Sequence, residues 1–183
     1  MKIDQHIRAS DGIVILATSG YAAEIASICA ALDLRVEAIV GTGSALDAAA
    51  TLGIDAAIWT GNTAALPPGR VAIALADGAE RSQIRSELAA AGRSIATLVH
   101  PDATVGLAVK LGEGCLLSPG VRVTSNVDIG AGTLLHTGAI LSHDDKIGSD
   151  VTISPSVTVC GGVTIEDHAW IAAGATVLPG LMI

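Results

Sequence analysis

The feature that most constrains this chain is a six-residue period that runs through its second half. From Leu111 to Ile183, every sixth residue is Leu, Ile or Val, at 13 successive positions, and the register never shifts. Four residues after each of these positions stands a second apolar or small residue, and Asp145 alone breaks this second row. Such a strict period indicates a repeat architecture in which each unit buries its side chains against its neighbours.

A period of six predicts a parallel β-helix. Each hexad supplies one short strand and one corner, so three hexads, or 18 residues, close one triangular coil. So narrow an interior admits stacked aliphatic side chains but few rings, in agreement with the absence of Phe and an aromatic content of 2%. The period leaves the hand of the coil open. Corner residues that are expected to supply turns of positive φ are Gly112, Gly114, Gly120, Asn126, Gly130, Gly132 and Gly138.

The first half of the chain follows a different pattern. Short apolar runs at 13–17, 36–40, 56–59 and 71–75 are typical of buried parallel strands, while 21–32 and 83–91 have apolar residues at helical spacing. We therefore predict an α/β Rossmann-like domain over residues 1–98 and a β-helix over residues 99–183, with the boundary near 98–101.

Composition and charge exclude several classes of protein. A hydrophobic content of 50% with 15% charged residues excludes disorder. The net charge of −8 opposes nucleic-acid and anionic-membrane binding. The most apolar run, 13–17, is too short to span a membrane, and residues 1–6 lack the apolar segment of a signal peptide, so we expect a cytoplasmic protein. Because the chain ends on an inward position, Ile183, we expect either a truncated chain or an end covered by a partner.

Several segments outside the bare repeat carry a more specific pattern. They are ILATSGYAAEI at 15–25, LVHPDA at 98–103, TGAILSHD at 137–144, SPSVTVCGG at 154–162 and AAGATVLPG at 172–180. In these segments the chain resembles the sialic-acid O-acetyltransferase-like sugar acetyltransferases, which include the bacillosamine-pathway and perosamine N-acetyltransferases.

The resemblance implies a left-handed parallel β-helix that forms a homotrimer, with acetyl-CoA in the groove between two β-helices and the active sites between subunits. It also implies that the small N-terminal domain binds the nucleotide of a nucleotide-linked amino sugar. From the spacing of the histidines in the repeat, we expect no metal at the site. The family's catalytic base matches His143, and its acidic neighbour matches Asp144.

The residues themselves support this assignment. Acetyl transfer needs a base near neutral pH, which an imidazole provides, and an adjacent carboxylate fixes its tautomer. One coil of 18 residues after His143 stands Gly161, so the N–H of Gly161 or Gly162 is a candidate oxyanion donor, about 4.8 Å from the level of the histidine. The alternative is that His143 and Asp144 form only a polar corner, followed by an ordinary glycine turn.

The remaining site residues are assigned with open alternatives. We assign coenzyme contacts to Thr152, Gly161, Gly162 and Ala173, and substrate contacts to Gly20, Tyr21 and His136. Relatives often have Asn at position 136 and His at position 152, so these two residues fit ordinary surface positions equally well.

Two further positions depart from the expected pattern. The glycine-rich turn after the first strand keeps Gly20 as its main glycine, so the N-terminal domain either binds nucleotide or is kept for structure or for another ligand. For the buried carboxylate of Asp145, either the corner bulges or the residue joins the site, and we favour the bulge.

Three alternative functions remain. The first is O-acetylation of sialic acid, another sugar or serine, which would use the same base. The second is a non-catalytic scaffold, which the loss of glycines from the turn after the first strand favours. A zinc lyase of the γ-carbonic anhydrase type is disfavoured because His136, His143 and His168 are 7 and 25 residues apart and do not stack. The three cysteines, Cys29, Cys115 and Cys160, are widely spaced and indicate neither a disulfide framework nor a zinc ribbon.

Overall fold

The computed structural model describes residues 12–183. The first 11 residues, which include the start of the predicted domain 1–98 and the segment in which no signal peptide was predicted, lie outside the described residues. No helix in the described part of the chain is long and apolar enough to cross a membrane.

The N-terminal part is a four-stranded parallel sheet covered by helices. The strands lie in the order β3–β2–β1–β4. Continuous burial of β1 explains why its sequence is uniformly apolar rather than alternating. The predicted strands are confirmed, and the helix at 44–52 was not predicted. The elements are β1 Ile13–Ala17, α1 Tyr21–Ala31, β2 Val36–Gly41, α2 Ser44–Leu52, β3 Ala56–Ile58, a 3-10 helix Thr63–Ala65, β4 Arg70–Ala74 and α3 Gly78–Ala90.

The β-helix consists of two-residue strands that pair in parallel at intervals of 18 residues, as Leu117, Leu135 and Ile153 do. First-row residues are buried from Leu117 to Val177, so the six-residue period is confirmed as the period of the core. The strands are β5 Leu98–Val99, β6 Thr104–Val105, β7 Lys110–Leu111, β8 Leu116–Leu117, β9 Arg122–Val123, β10 Asp128–Ile129, β11 Leu134–Leu135, β12 Ile140–Leu141, β13 Lys146–Ile147, β14 Thr152–Ile153, β15 Thr158–Val159, β16 Thr164–Ile165, β17 Trp170–Ile171 and β18 Thr176–Val177.

Three sheets form the three faces of the prism. The covered face contains β5, β8, β11, β14 and β17; the threonine face contains β6, β9, β12, β15 and β18; the charged face contains β7, β10, β13 and β16. We name the corner between the covered and threonine faces, which carries His136, the His136 corner. We name the corner between the threonine and charged faces, which carries His143, the His143 corner.

Every sixth residue from Ala108 to Gly180 adopts a left-handed conformation, with φ between 56° and 79°. Asn126 and Asp144 belong to this row, and both residue types tolerate the conformation better than most. The prediction of positive φ is wrong for Gly112 and Gly130. An added Cβ there would lie 2.4 Å and 2.5 Å from the backbone of the next coil, so glycine permits close stacking instead.

The N-terminal sheet and its helices pack onto the covered face. Leu98, Leu116 and Leu134 point outward from this face and share a core with residues of β1 and α1 such as Ile25. The same outward position on the charged face holds Lys110, Asp128 and Lys146 in the corresponding coils. The covered face is therefore marked in the sequence by an apolar residue at every third outward position, and this contact was not predicted.

A buried arginine of α3 completes this contact. The Arg81 guanidinium donates to the carbonyls of Gly132 and Asp150, which stack in successive coils, and to those of Leu75 and Ala76 after β4. Arg85 forms an ion pair with the buried Asp150 carboxylate at 2.7 Å. Side chains from α3 therefore fix the N-terminal part to two coils of the β-helix.

The predicted bulge at Asp145 is wrong. Lys146 pairs with Asp128 and with Thr164, so the 18-residue register continues through this corner without an extra residue. Asp145 keeps its inward position and is 0% exposed. The buried carboxylate is accommodated because its Oδ1 accepts a hydrogen bond from the Val163 N–H at 2.9 Å.

Candidate active site

The His143 corner holds an ordered chain of polar groups. His143 Nδ1 lies 2.8 Å from Asp144 Oδ2, and the Asn126 side-chain amide donates to Asp144 Oδ1 at 2.6 Å. These hydrogen bonds, first from Asn126 and then from His143, hold the pKa of the Asp144 carboxyl below its usual range. An ionised carboxylate at Nδ1 favours the tautomer in which Nε2 is free to accept a proton.

Asn126 is a site residue that was not predicted from the sequence. It stands one coil, 18 residues, before Asp144 and occupies the same left-handed corner position. The signal was available, because the step of 18 residues that relates His143 to Gly161 also relates Asn126 to Asp144.

Gly161 lies directly against the imidazole. A Cβ at this position would lie 2.7 Å from His143 Cε1 and 2.8 Å from Nε2, closer than side chains approach one another. The ring therefore occupies the space that a side chain at position 161 would fill.

The two glycine N–H groups proposed as oxyanion donors differ in whether they already have a hydrogen-bond acceptor. Gly162 N–H donates to the His143 carbonyl at 2.9 Å, as part of the regular corner pattern. Within the described residues, Gly161 N–H has no backbone acceptor and stays available to a ligand. The donor prediction is therefore retained for Gly161 and is wrong for Gly162.

The predicted substrate residues meet at the other corner. The rings of Tyr21 and His136 are 4.4 Å apart between centroids, with planes tilted by 40°. Burial, and then the charge of Arg81, lower the pKa of His136. Gly20 is the exposed residue that precedes α1, in open space. This cluster joins the carboxyl end of β1 to the β-helix.

The predicted coenzyme residues are not brought together in one chain. Gly161 and Gly162 lie at the His143 corner, whereas Ala173 is exposed on the last coil of the His136 corner. Thr152 is 3% exposed, and its hydroxyl donates to the Ala76 carbonyl at 3.1 Å. The coenzyme prediction for Thr152 is wrong, because the N-terminal part of the same chain covers this side chain.

The two corners flank the threonine face, so His136 and His143 lie on opposite sides of Ile140 in the same coil. The side chain of His143 is 68% exposed and that of Asp144 is 56% exposed. In a single chain the candidate base is therefore open to solvent and separated from the Tyr21 cluster by the width of a face.

Two further observations on the described residues do not indicate a second catalytic site. Residues 12–183 contain no group of three His, Cys, Asp or Glu side chains arranged to hold a metal ion. A cavity of about 760 Å³ lies at the amino ends of the N-terminal strands, lined among others by Glu37, Asp55 and Arg70. Ligands of open parallel sheets bind at the carboxyl ends of the strands, which is the other end.

Comparison with known proteins agrees with this arrangement. No family model matches the chain. The GDP-perosamine N-acetyltransferase of Escherichia coli O157:H7 is 30% identical over 109 residues, which cover 60% of this chain. The matched segment spans about half, 49%, of that relative.

Solved structures match over more of the chain. WeeI from Acinetobacter baumannii AYE superimposes with a TM-score of 0.76 at 25% identity, covering 89% of this chain and 78% of that one. PerB from Caulobacter crescentus, in complex with CoA and GDP-perosamine, has a TM-score of 0.71 at 25% identity, covering 93% and 90%.

The hexad core, the histidine–carboxylate corner and these matches lead to one conclusion. The chain fits a sugar acyltransferase family of the hexapeptide-repeat kind.

Proposed function

We propose that this chain is an acetyl-CoA-dependent N-acetyltransferase that acts on a nucleotide-linked amino sugar in glycan or surface polysaccharide synthesis. The observation that carries the proposal is the His143 corner, in which Asp144 and Asn126 orient an exposed imidazole beside the free N–H of Gly161. The similarity to a GDP-perosamine N-acetyltransferase and to PerB with bound CoA and GDP-perosamine supports the choice of substrates.

In the proposed reaction, His143 Nε2 accepts a proton from the attacking amine as the new amide bond forms. The imidazole then carries a positive charge, which the Asp144 carboxylate stabilises across the 2.8 Å hydrogen bond to Nδ1. Asn126 holds the second carboxylate oxygen, so that Asp144 keeps its orientation while His143 changes charge. The same imidazolium then returns the proton to the leaving thiolate.

Acetyl-CoA supplies the thioester from which the acetyl group is transferred. The residues at the corner fit this co-substrate, because Gly161 offers a free N–H where negative charge develops on the thioester oxygen. Since position 161 has no side chain, the carbonyl can approach both this N–H and the imidazole.

For the nucleotide, we propose the carboxyl ends of β1 and β4 in a Rossmann-like domain that spans residues 1–98, followed by a left-handed β-helix over 99–183. The strand order β3–β2–β1–β4 places a change of direction between β1 and β4, where such sheets bind nucleotides. Gly20, which precedes α1, offers its backbone N–H to phosphate at the positive end of the helix, and Tyr21 and His136 lie next to it.

We propose a homotrimer in which each active site forms between two chains. In a single chain the threonine face separates His143 from the Tyr21 cluster, and the His143 side chain is 68% exposed. A second chain placed against this face would cover the base and supply the missing side of the site.

The test is a panel of acceptors in an assay of free CoA release. Wild type is expected to release CoA with UDP- or GDP-linked 4-amino sugars, and His143→Ala to lose at least about 10²-fold in rate. Release only with free sialic acid or serine would overturn the N-acetyltransferase assignment. An unchanged rate in His143→Ala would remove this residue from the mechanism.

A further inference from the structure

Asp145 is a buried carboxylate next to the candidate base, and the proposed reaction does not use it. Its side chain points into the β-helix, between Val127 and Val163 in the column of inward residues spaced by 18. Oδ1 accepts the Val163 N–H at 2.9 Å, whereas the buried Oδ2 has no hydrogen-bond partner. An apolar residue would fill this column without leaving an unpaired polar atom, so the carboxylate has a cost in stability that folding alone does not explain.

The bond to Val163 adds one hydrogen bond to the corner that carries Gly161. At the His136 corner, the N–H of the inward residue closes the turn by donating to the carbonyl three residues earlier. Examples are the bonds from Val121 to Ser118, Ala139 to His136, Val157 to Ser154 and Ala175 to Ala172. At the His143 corner, the inward N–H groups of Val109, Val127 and Asp145 make no such bond, and neither does that of Val163. The Val163 N–H has a different acceptor, the Asp145 carboxylate one coil below.

The chain has one close parallel to this arrangement. Val151 N–H donates to Thr133 Oγ1, also one coil below, at 3.2 Å, and Thr133 donates in turn to the Gly148 carbonyl. This second corner lies between the charged and covered faces, away from His143. Among the inward residues that the structure describes, Val151 and Val163 are the two whose N–H donates to a side chain one coil below, and only the bond to Asp145 lies at the corner that carries the candidate base.

We propose that Asp145 is a positioning residue, which holds the corner 160–163 in the conformation that places Gly161 under the His143 imidazole. The inference rests on the proposed acetyltransferase function for its catalytic meaning, but its structural part is independent of that function. The carboxylate neither touches a substrate nor transfers a proton, and it acts through the Val163 N–H on the orientation of Gly161.

The surroundings of Asp145 agree with this role. Burial raises its pKa to about 6, against the opposing effect of the hydrogen bond from Val163. His143 and Asp144 are the titratable groups that act on it electrostatically, and its column neighbours Val127 and Val163 are apolar. Because Oδ1 accepts from the Val163 N–H in both protonation states, the corner is held across the working pH range.

The experiment compares three variants. Asp145→Val matches the column neighbours and removes the acceptor, Asp145→Asn keeps an acceptor of the same shape, and Thr133→Val removes the equivalent acceptor at the remote corner. Two quantities are measured for each: amide hydrogen exchange at Val163 and Val151, and kcat and KM for acetyl-CoA and acceptor.

We expect Asp145→Val to lose protection at Val163 and to lower kcat by about 10- to 100-fold with little change in either KM. Asp145→Asn, which keeps an acceptor, should have a protection of Val163 and a kcat close to those of wild type. Thr133→Val should lose protection at Val151 only and keep its kcat. A purely structural role would instead change stability in both valine variants while leaving kcat intact.

Two results would overturn the inference: unchanged Val163 exchange in Asp145→Val, or an unchanged kcat in that variant while wild type is active. Failure of the proposed function looks different, because wild type itself would then release no CoA with nucleotide-linked amino sugars. In that case the exchange measurement alone decides whether Asp145 holds the corner.

Discussion

The imidazole of His143 lies over the backbone of Gly161 because position 161 has no side chain. The Nδ1 side of the ring is fixed by Asp144, and a Cβ at 161 would come within 2.8 Å of Nε2 on the other side. At the residue scale, then, the site depends on an absent side chain as much as on the groups that are present.

Gly161→Ala is expected to lower kcat by about 10²-fold, because the methyl group forces the imidazole away from the Gly161 N–H. The steady-state rate of CoA release measures this effect. The double variant with His143→Ala should be no slower than His143→Ala alone, since no ring remains to be displaced. Additive losses in the double variant would show that Gly161 acts independently of the histidine.

Asp145 makes the stability of the protein dependent on pH. Its pKa is raised to about 6 in the folded state by burial, above its ordinary value of 3.8 in the unfolded chain, so the folded state binds this proton more tightly. Its contribution to stability is therefore greatest at low pH and is lost as pH rises through 6. As pH rises from 4.5 to 7.5, the free energy of unfolding of Asp145→Val, measured in urea, should increase by about 2 kcal/mol relative to that of wild type. A difference between the two proteins that stays constant with pH would contradict this.

Part of the site follows from the sequence by counting in steps of 18 residues. That step relates His143 to Gly161 and Asn126 to Asp144, because parallel strands in register stack residues one coil apart. The inward bond of Asp145 did not follow, since sequence does not show whether a buried carboxylate finds a backbone donor or distorts its corner. The free N–H of Gly161 was separable from that of Gly162 only once the corner hydrogen bonds were known.

At the scale of elements, α3 is a surface helix that contributes its most important side chain to a buried contact. Arg81 is 1% exposed and bridges the carbonyls of Gly132 and Asp150 in two successive coils. Burial lowers its pKa to about 10, so the guanidinium stays protonated at neutral pH. Arginine is rarely this buried, which is why the pattern of α3 alone did not reveal the contact.

Arg81→Leu should destabilise the protein by at least about 3 kcal/mol, because the carbonyls that it satisfies would be buried without donors. Arg81→Lys should recover little of this loss, since an ammonium group cannot reach carbonyls on both sides of the contact. Gln83→Ala, on the exposed side of the same helix, is the control and should stay within about 0.5 kcal/mol of wild type. Chemical denaturation measures all three, and a stability of Arg81→Leu equal to that of Gln83→Ala would refute the assigned role.

The prediction of the β-helix succeeded because one repeated constraint fixes every strand of it. The N-terminal elements are less regular, and α2 was missed because the residues that it buries, Ala45 and Ala49, are small. The way in which the two parts dock was encoded in the outward residues Leu116 and Leu134, which a search for inward periodicity does not examine.

For the whole molecule, the threonine face separates the two halves of the proposed site. Its outward residues are mostly uncharged, with Thr104, Ile140, Thr158 and Thr176 beside the single Arg122, whereas the charged face carries Lys110, Asp128 and Lys146. A face with few charges between two functional corners is suited to contact with a second copy of the chain.

Mixing two inactive variants tests whether the site is shared between chains. Gly20→Asp is expected to fold, because Gly20 has helical φ, open space and a position before α1 that suits aspartate, but its charge should repel the nucleotide phosphates. His143→Ala lacks the base. If the site combines Gly20 of one chain with His143 of another, trimers refolded from an equal mixture should regain up to about a quarter of wild-type CoA release.

The mixture must also have the mass of an assembly, three times the 18.2 kDa of one chain, by light scattering. Each variant refolded alone is the control and should stay inactive. If mixed trimers form but recover no activity, Gly20 and His143 of the same chain belong to one site. The width of the threonine face, which separates the two residues in a single chain, argues against that arrangement. A monomeric mass for active wild type would contradict the shared site altogether, because a single chain leaves His143 open to solvent.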